Sequence, residues 1–224
     1  MSNKLFKYYV YVSSSKVEML YSQIPRRFLN GVAGELKVNL GIASSTLTQK
    51  ASEETVYSKL SAVLRYIHEN VAVGSIDSPE DYFSGNGIVR WGLYDNQGSL
   101  VLFVGSTDAT IFALGGSSAH VLGNKTQADT PPVSTTPFLV DILCDELQLD
   151  ALNEVERENI AFLVNQGHSR TDLALLAVAH AHMYMTAPSQ KVEFLAKRLL
   201  HKEQKLSSDK GVLLGTPLYV ALAE

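Results

Sequence analysis

Apolar residues are grouped most densely between positions 87 and 123, where short turns separate three apolar runs. The first two runs, Ile88–Tyr94 and Leu100–Val104, flank the polar stretch Asp95–Gly98, whose residue types favour a turn. A third run, Thr110–Leu114, follows a second polar turn. Apolar runs of this length between turn residues predict strands that pair with their neighbours. We therefore expect an antiparallel meander at the centre of the fold.

The residues before the meander predict a strand, a helix, a strand and a second helix. Leu5–Ser13 is rich in aromatic and β-branched residues, and Glu35–Ile42 alternates apolar with polar positions, so both favour strands. Ser15 and Glu18 fit a capping box at the start of the first helix, which Pro25 should end. The second helix should begin at Ser52, because an apolar stripe at intervals of three and four residues follows it.

The residues after the meander predict mainly helices. The segment 123–137 is low in hydrophobicity and contains three prolines, so it favours a linker or a long surface loop. Val212–Leu222 is an apolar strand that should return to the N-terminal sheet. Between these two segments the pattern predicts four helices, which are Thr136–Leu147, Leu152–Gln166, Ser169–Met185 and Gln190–Lys205.

Together these elements predict an α/β or α+β fold that forms a single domain over residues 1–224. We expect a mixed sheet with a central antiparallel meander, helices packed against it, and a C-terminal strand that returns to the sheet. The order is a sheet-rich part (1–123), a Pro-rich loop (124–137), a helical part (138–206) and the C-terminal strand (207–224). The length of 224 residues suits one such domain.

Composition and charge exclude several classes of protein. The net charge is −4 and no long Lys/Arg run occurs, so we expect no nucleic-acid partner. No apolar run approaches the length of a membrane span, and we expect a cytoplasmic protein without a membrane contact. Cys144, which is the sole cysteine, lies in an apolar segment and fits a buried structural thiol in a reducing compartment.

The stretch Gly115–His120 (GGSSAH) is the sharpest candidate for a binding site. Gly115 and Gly116 would let the backbone adopt positive φ and approach a ligand closely. Backbone N–H groups and the hydroxyls of Ser117 and Ser118 could cradle a phosphate or carboxylate, and His120 could add a titratable donor. The stretch matches neither a P-loop nor a dinucleotide fingerprint. The alternative interpretation, a tight turn between strands, stays open.

Two further sets of side chains suggest chemistry, and each has a simpler explanation. Arg90 could bind an anion and complete the site if it reached the Gly-rich stretch together with Lys16, but a surface arginine on a strand is the simpler interpretation. His180 and His182 point about 200° apart on a helix, so they cannot hold one ion together. We therefore expect no metal and no cofactor.

Two carboxylates suggest a further site. Asp141 and Asp145 are four residues apart and share a helix face, which favours an acidic exposed face over a metal or proton-transfer pair.

Four segments together resemble a family of uncharacterised bacterial proteins, a domain of unknown function. The resemblance covers most of the chain and implies a bacterial, cytoplasmic protein without any assigned activity, cofactor or site residue. The segments are Lys7–Pro25 (KYYVYVSSSKVEMLYSQIP), Arg90–Gly92 (RWG), Leu114–Gly123 (LGGSSAHVLG), and the pair Val192–Leu200 (VEFLAKRLL) with Leu213–Ala223 (LLGTPLYVALA).

These observations lead to one main hypothesis and two alternatives. The main hypothesis is a non-catalytic ligand-binding or partner-binding module that takes a small anionic ligand or nucleotide at Gly115, Gly116, Ser117, Ser118, His120 and Arg90. The first alternative is a hydrolase or transferase that uses Ser117 or Ser118 with His120 and an orienting acid, Asp108 or Asp172. The second alternative is a structural subunit of an oligomer, in which Leu213–Leu222 forms an intermolecular sheet edge.

Overall fold

The computed structural model describes residues 6–30, 55–95, 97–123, 136–145, 169–203 and 209–223. The chain divides into two compact units, of which one is Ser14–Val73 and the other comprises the preceding residues together with those from Gly74 onward. The strands are β1 (Tyr8–Val12), β2 (Val73–Gly74), β3 (Tyr82–Leu93), β4 (Leu100–Ser106), β5 (Thr110–Ser117), β6 (Ser189–Lys202) and β7 (Gly211–Leu222). The helices are α1 (Ser14–Gln23), α2 (Val56–Asn70), α3 (Thr136–Asp145) and α4 (Arg170–Tyr184).

Five strands of the larger unit close into a barrel. The sheet runs in the order β1-β7-β5-β4-β3-β2, and β6 pairs with both β3 and β7, which closes the ring. The pairs β3–β4, β4–β5, β3–β6 and β6–β7 are antiparallel, whereas β5 and β7 are parallel. Numbered along the chain, the five barrel strands follow the order 1-2-3-5-4, with helices between the third and fourth. This connectivity is that of the oligonucleotide/oligosaccharide-binding fold, a five-stranded Greek-key barrel.

Alternating side chains of the barrel strands fill two separate cores. Val101 and Phe103 of β4 point inward, where they pack with the inward side chains of all the other barrel strands. Leu100, Leu102 and Val104 of the same strand point outward, where they pack against α3 and α4. Strand β4 is therefore buried on both faces, as its continuous apolar run predicts.

Strand β1 pairs with the part of β7 that lies beyond the end of the β5–β7 pairing. The N-terminal half of β7 pairs with β5 as far as Gly215, and its C-terminal half pairs with β1 from Tyr219 to Leu222. A bulge between Tyr9 and Tyr11 interrupts the pairing of β1. The Tyr11 ring is fully buried and belongs to the core inside the barrel.

The smaller unit contains α1 and α2, and an ion pair joins the two helices. Lys59 of α2 donates to both carboxylate oxygens of Glu18, at 2.8 and 2.7 Å. The Phe28 and Tyr66 rings meet edge to face with centroids 5.0 Å apart. In α1, burial lowers the pKa of the Lys16 ammonium to about 8.

The predicted fold class is confirmed. The structure has a mixed sheet with a central antiparallel meander, helices packed against it, and a C-terminal strand bonded within it. Helix α3 begins at Thr136 as predicted, and Ser169 and Asp172 form a capping box at α4. The N-cap of α2 is Thr55. Several predictions lie outside the described residues. They are the strand Glu35–Ile42, the helix start at Ser52, the helix Leu152–Gln166 and most of the Pro-rich stretch.

Two predictions about the C-terminal part are wrong. The segment predicted as a helix over Gln190–Lys205 is strand β6, because Val192, Phe194 and Ala196 alternate into the barrel while the chain pairs with strands on both sides. Strand β7 cannot supply an intermolecular sheet edge over Leu213–Leu222, because β6 covers one of its edges and β5 and β1 cover the other.

Candidate functional site

The Gly-rich stretch is part of a buried strand and not a loop. Gly115 and Gly116 lie in β5, and neither has positive φ. The predicted loop conformation is therefore wrong. The two glycines serve opposite faces of the strand, because a Cβ on Gly115 would lie 2.7 Å from Leu139 of α3, whereas a Cβ on Gly116 would overlap the Tyr11 hydroxyl inside the barrel. Their lack of a side chain makes room for close packing.

The two serines that follow hold the end of β5 in place. The Ser117 hydroxyl caps a single 3₁₀ turn, Ser118–His120, by accepting from the Ala119 N–H at 3.4 Å. The Ser118 hydroxyl donates to the Gly98 carbonyl at 2.6 Å, in the turn between β3 and β4. Both serines are buried. These hydrogen bonds join two neighbouring turns at one end of the barrel.

His120 is the last member of a row of four rings that crosses this end of the barrel. Trp91 stacks on Phe103 with centroids 5.3 Å apart. Tyr11 meets Phe103 edge to face at 6.0 Å and meets His120 edge to face at 6.0 Å. Phe103 and Tyr11 are fully buried, whereas Trp91 and His120 are half-buried, so both ends of the row reach the surface. We call this arrangement the ring row.

Two rings of the ring row, Trp91 and Tyr11, carry polar groups with different surroundings. The indole N–H of Trp91 donates to the carboxamide oxygen of Gln190 at 2.6 Å, which fixes the ring against the start of β6. Burial raises the pKa of the Tyr11 hydroxyl above its ordinary value, and an opposing interaction with Ser13 is weaker. The Tyr11 hydroxyl makes no hydrogen bond of normal geometry within the described residues. Tyr11 therefore keeps its proton at neutral pH.

Arg90 binds the end of a helix. Its guanidinium donates to the Met185 carbonyl at 2.9 Å and also to the His182 carbonyl, both at the C-terminus of α4. A cation at this position complements the negative end of the helix dipole. Arg90 points to the outer face of β3, since its register partner Val104 packs against the helices. Lys16 belongs to the other unit.

One of the two acids proposed to orient His120 is too far away, and the other has different partners. Asp108 lies in the turn before β5 and His120 follows the end of β5, so roughly 25 Å of strand separates them at ~3.3 Å per residue. Asp172 belongs to the capping box of α4 and receives an ion pair from Lys202 at 2.7 Å. Neither acid is placed to orient His120.

The histidine pair and the carboxylate pair noted in the sequence lie on helices α4 and α3. His180 and His182 lie on helix α4, where residues two apart point in different directions. The exposed Asp141 and Asp145 both face Arg170, with nearest atoms 3.0 and 3.8 Å apart. Within the ranges that the structure describes, no group of three or more His, Cys, Asp or Glu side chains is arranged to hold a metal ion. Cys144 is half-buried, and burial raises the pKa of its thiol.

Tyr11, Phe103 and Gln190 could not be assigned to this end of the barrel from the sequence. Tyr11 and Gln190 are distant in the sequence from Trp91 and from the Gly-rich stretch, so only the barrel closure brings them together. The alternation that places Trp91 inward on β3 was visible, because Trp91 follows the inward Val89 at a spacing of two. The position of Gln190 depended on recognising β6 as a strand.

The surface that this barrel connectivity commonly uses for oligonucleotides or oligosaccharides is covered. In that fold the ligand lies on the face of the second and third strands, which here are β4 and β5, and against the loops that follow the first and fourth strands. Leu139 and Leu143 of α3 and Ala177 and Val178 of α4 bury that face. The end of the barrel that carries the ring row is therefore the better candidate for a binding site.

The comparisons with known proteins give a family without an assigned activity. A family model described as "Family of unknown function (DUF7019)" matches residues 7–224. No curated protein and no solved structure matches the chain. Among the helices in the described residues, none is both long and apolar enough to cross a membrane.

Proposed function

This chain belongs to the family of unknown function DUF7019, and we propose from its geometry that it is a non-catalytic binding module. The proposed ligand is a small molecule with a flat ring and a negatively charged group, of which a nucleotide is the simplest example. The proposed site is the end of the barrel that carries the ring row. The observation that carries the proposal is the half-buried Trp91, stacked on Phe103 and held by Gln190.

A fixed aromatic ring at the surface favours the binding of another flat ring. Aromatic pairs contribute about 0.5–1.5 kcal/mol beyond the area they bury. Because the Gln190 hydrogen bond and the Phe103 stack hold the Trp91 ring, little side-chain entropy is lost when a ligand ring contacts it. This arrangement supports the recognition of a planar group without any chemical step.

The hydroxyl groups near the ring row support binding over catalysis. A serine nucleophile needs a base that takes its proton, yet the Ser118 proton points to the Gly98 carbonyl. Ser117 is buried and accepts a backbone hydrogen bond. His120, at the other end of the ring row from Trp91, is the side chain to which we assign the contact with the negative group. Arg90 is not needed for this contact, because its guanidinium already binds the end of α4.

Trp91 is the sole tryptophan of the chain, so its fluorescence reports on the proposed site directly. We would titrate the protein with adenosine 5′-monophosphate, with adenosine, and with ribose 5-phosphate as the ring-free counterpart. We expect a saturable change in Trp91 emission with the first two probes and the highest affinity for the monophosphate. Native mass spectrometry of the protein purified from cells would test for a retained ligand.

Matched variants separate the two parts of the proposed site. Gln190→Leu should weaken binding of both ring-containing probes by up to about tenfold, since one charge-neutral hydrogen bond is worth about 0.5–1.5 kcal/mol. His120→Ala should weaken the monophosphate and leave adenosine unchanged. Leu93→Ala, an exposed position on the same strand as Trp91, is the control. The proposal is wrong if none of the three probes changes the Trp91 emission up to millimolar concentration and native mass spectrometry detects the polypeptide without a ligand.

A further inference from the structure

Gln190 lies at the start of β6, on the face of the strand that points into the barrel. Its register partner on β3 is Val89, and both Val89 and Val192, two residues along β6, belong to the core inside the barrel. The Gln190 side chain itself is half-buried and contacts the Trp91 ring. Because its neighbours on this face are apolar, the carboxamide depends on a small number of polar partners.

The hydrogen bond to Trp91 fixes which way round the carboxamide lies. The indole N–H of Trp91 can only donate, so the Gln190 atom that meets it at 2.6 Å is the carbonyl oxygen Oε1. The nitrogen Nε2 then occupies the other side of the planar amide and carries two N–H donors. Turning the amide over would set donors against each other, so the bond that holds Trp91 also fixes the position of Nε2.

Nε2 of Gln190 lies where a ligand on Trp91 can reach it. The carboxamide makes no hydrogen bond within the described residues other than the one to Trp91. Nε2 is also not one of the side-chain atoms of these residues that are buried without a hydrogen bond. It therefore reaches the surface beside the Trp91 ring, where it donates to water in the free protein.

The other polar groups at this end of the barrel are engaged. The indole N–H of Trp91 already donates to Gln190, and the Ser118 hydroxyl donates to a backbone carbonyl. The Arg90 guanidinium binds the end of α4. Among these groups, Nε2 of Gln190 is the donor that a ring stacked on Trp91 can use.

We propose that Nε2 of Gln190 donates a hydrogen bond to an acceptor atom on the edge of the ligand ring, so that Gln190 selects nitrogen heterocycles over plain aromatic rings. This inference rests on the proposed binding of a flat ring at Trp91 and names the chemical class of that ring. A ring that covers Nε2 without offering an acceptor removes water from its donors and replaces nothing, which lowers the affinity. A ring nitrogen or an oxo group at the same place restores the bond.

Analogues of adenosine that lack one ring nitrogen test for the acceptor. In 1-deaza-, 3-deaza- and 7-deazaadenosine a C–H group replaces one ring nitrogen and the shape of the ring is kept. Calorimetric titration of the wild type should show that one of the three binds about three- to tenfold more weakly than adenosine, since one neutral hydrogen bond is lost. Equal affinities for all four nucleosides would overturn the proposal, and this part of the test needs no variant.

Gln190→Glu separates the donor from the hold on Trp91. A carboxylate still accepts from the Trp91 N–H, but at about pH 8 it is ionised and has no proton to donate. Adenosine should bind this variant about three- to tenfold more weakly than the wild type, and the analogue that the wild type disfavours should now bind as well as adenosine. Gln97→Glu makes the same change of charge at an exposed position in the turn after β3, and it should leave every affinity unchanged.

The outcomes distinguish this inference from the proposed function. Discrimination against one analogue that persists in Gln190→Glu overturns the inference, because another group then meets the missing nitrogen. In that case the Trp91 emission still responds to adenosine, and the proposed function stands. If neither adenosine nor its monophosphate binds the wild type, the proposed function and the inference fail together.

Discussion

The backbone of Gly116 packs against the phenol ring of Tyr11, and a Cβ on Gly116 would lie 2.8 Å from Tyr11 Cζ and overlap the hydroxyl. The two residues lie on different strands, and both are buried. The glycine is thus required by the close approach of a ring, although its φ is ordinary. Gly116, which the sequence suggested as part of a ligand-binding loop, instead allows the Tyr11 ring to pack against strand β5.

Gly116→Ala should destabilise the protein by about 1–3 kcal/mol, the usual cost of forcing an extra methyl group into a packed core. The free energy of unfolding in urea measures this cost. Gly92→Ala is the matched control, because Gly92 also lies in a strand and a Cβ there would meet nothing within 4 Å. Tyr11→Phe removes the overlapping oxygen but keeps Cζ, so it should recover part of the loss when combined with Gly116→Ala. Equal stability losses in the single and double variants would contradict the proposed contact.

Arg90→Met should destabilise the protein by about 1–2 kcal/mol, since it leaves two carbonyl groups at the end of α4 without their charged donor. Arg90→Lys should restore only part of this, because an ammonium lacks the fork that reaches two carbonyls. Thermal unfolding followed by circular dichroism provides the measurement. Arg170→Met is the control. Arg170 is 61% exposed and its ion pairs with Asp141 and Asp145 are at the surface, so we expect a change below about 0.5 kcal/mol.

Asp95 should make the free energy of unfolding depend on pH in the acidic range. Burial raises the pKa of its carboxyl, but hydrogen bonds from the Ser99 hydroxyl, the Leu100 N–H and the Ser99 N–H outweigh this and hold the pKa below its ordinary value of 3.8. A folded-state pKa below the unfolded value contributes stability that is present above the unfolded pKa and is lost as the pH falls through the folded pKa.

The free energy of unfolding of the wild type should therefore fall below about pH 4 more steeply than that of Asp95→Asn. At pH 7, Asp95→Asn should be less stable by about 1 kcal/mol, a value reduced for the exposure of the turn. Parallel pH profiles for the two proteins would rule out this role for Asp95. Asp108→Asn, in the turn between β4 and β5, is the control for a general loss of negative charge.

Much of the fold follows from local patterns, and the particular elements show why. Strands β3, β4 and β5 follow apolar runs separated by turns, and α4 begins with the Ser169 and Asp172 capping box that the sequence contains. Such signals are local, because each depends on residues within one or two turns of the chain. Strand β4 also shows both of its buried faces in its composition.

Strand β6 carries sequence signals for both a helix and a strand, since Val192, Phe194 and Ala196 alternate along it. Glu193, Leu195 and Lys197 belong to residue types that favour helices, and a charged pair four residues apart fits either structure. Pairing with β3 and β7 on both sides decides the outcome, and the sequence of one segment does not contain that information.

The ring row was hidden for the same reason. Trp91 and His120 were visible as single residues, but Tyr11, Phe103 and Gln190 join them only through the closed barrel.

The pairing of the first strand with the last has a consequence for how the chain is made. Tyr8 has Leu222 as its register partner, and β3 cannot complete its pairing until β6 exists. Contacts between residues so far apart in sequence slow folding, because loop-closure entropy is lost before those contacts form. The barrel therefore cannot close until β7 has left the ribosome. Until then the aromatic N-terminal strand lacks the strand it pairs with, β7.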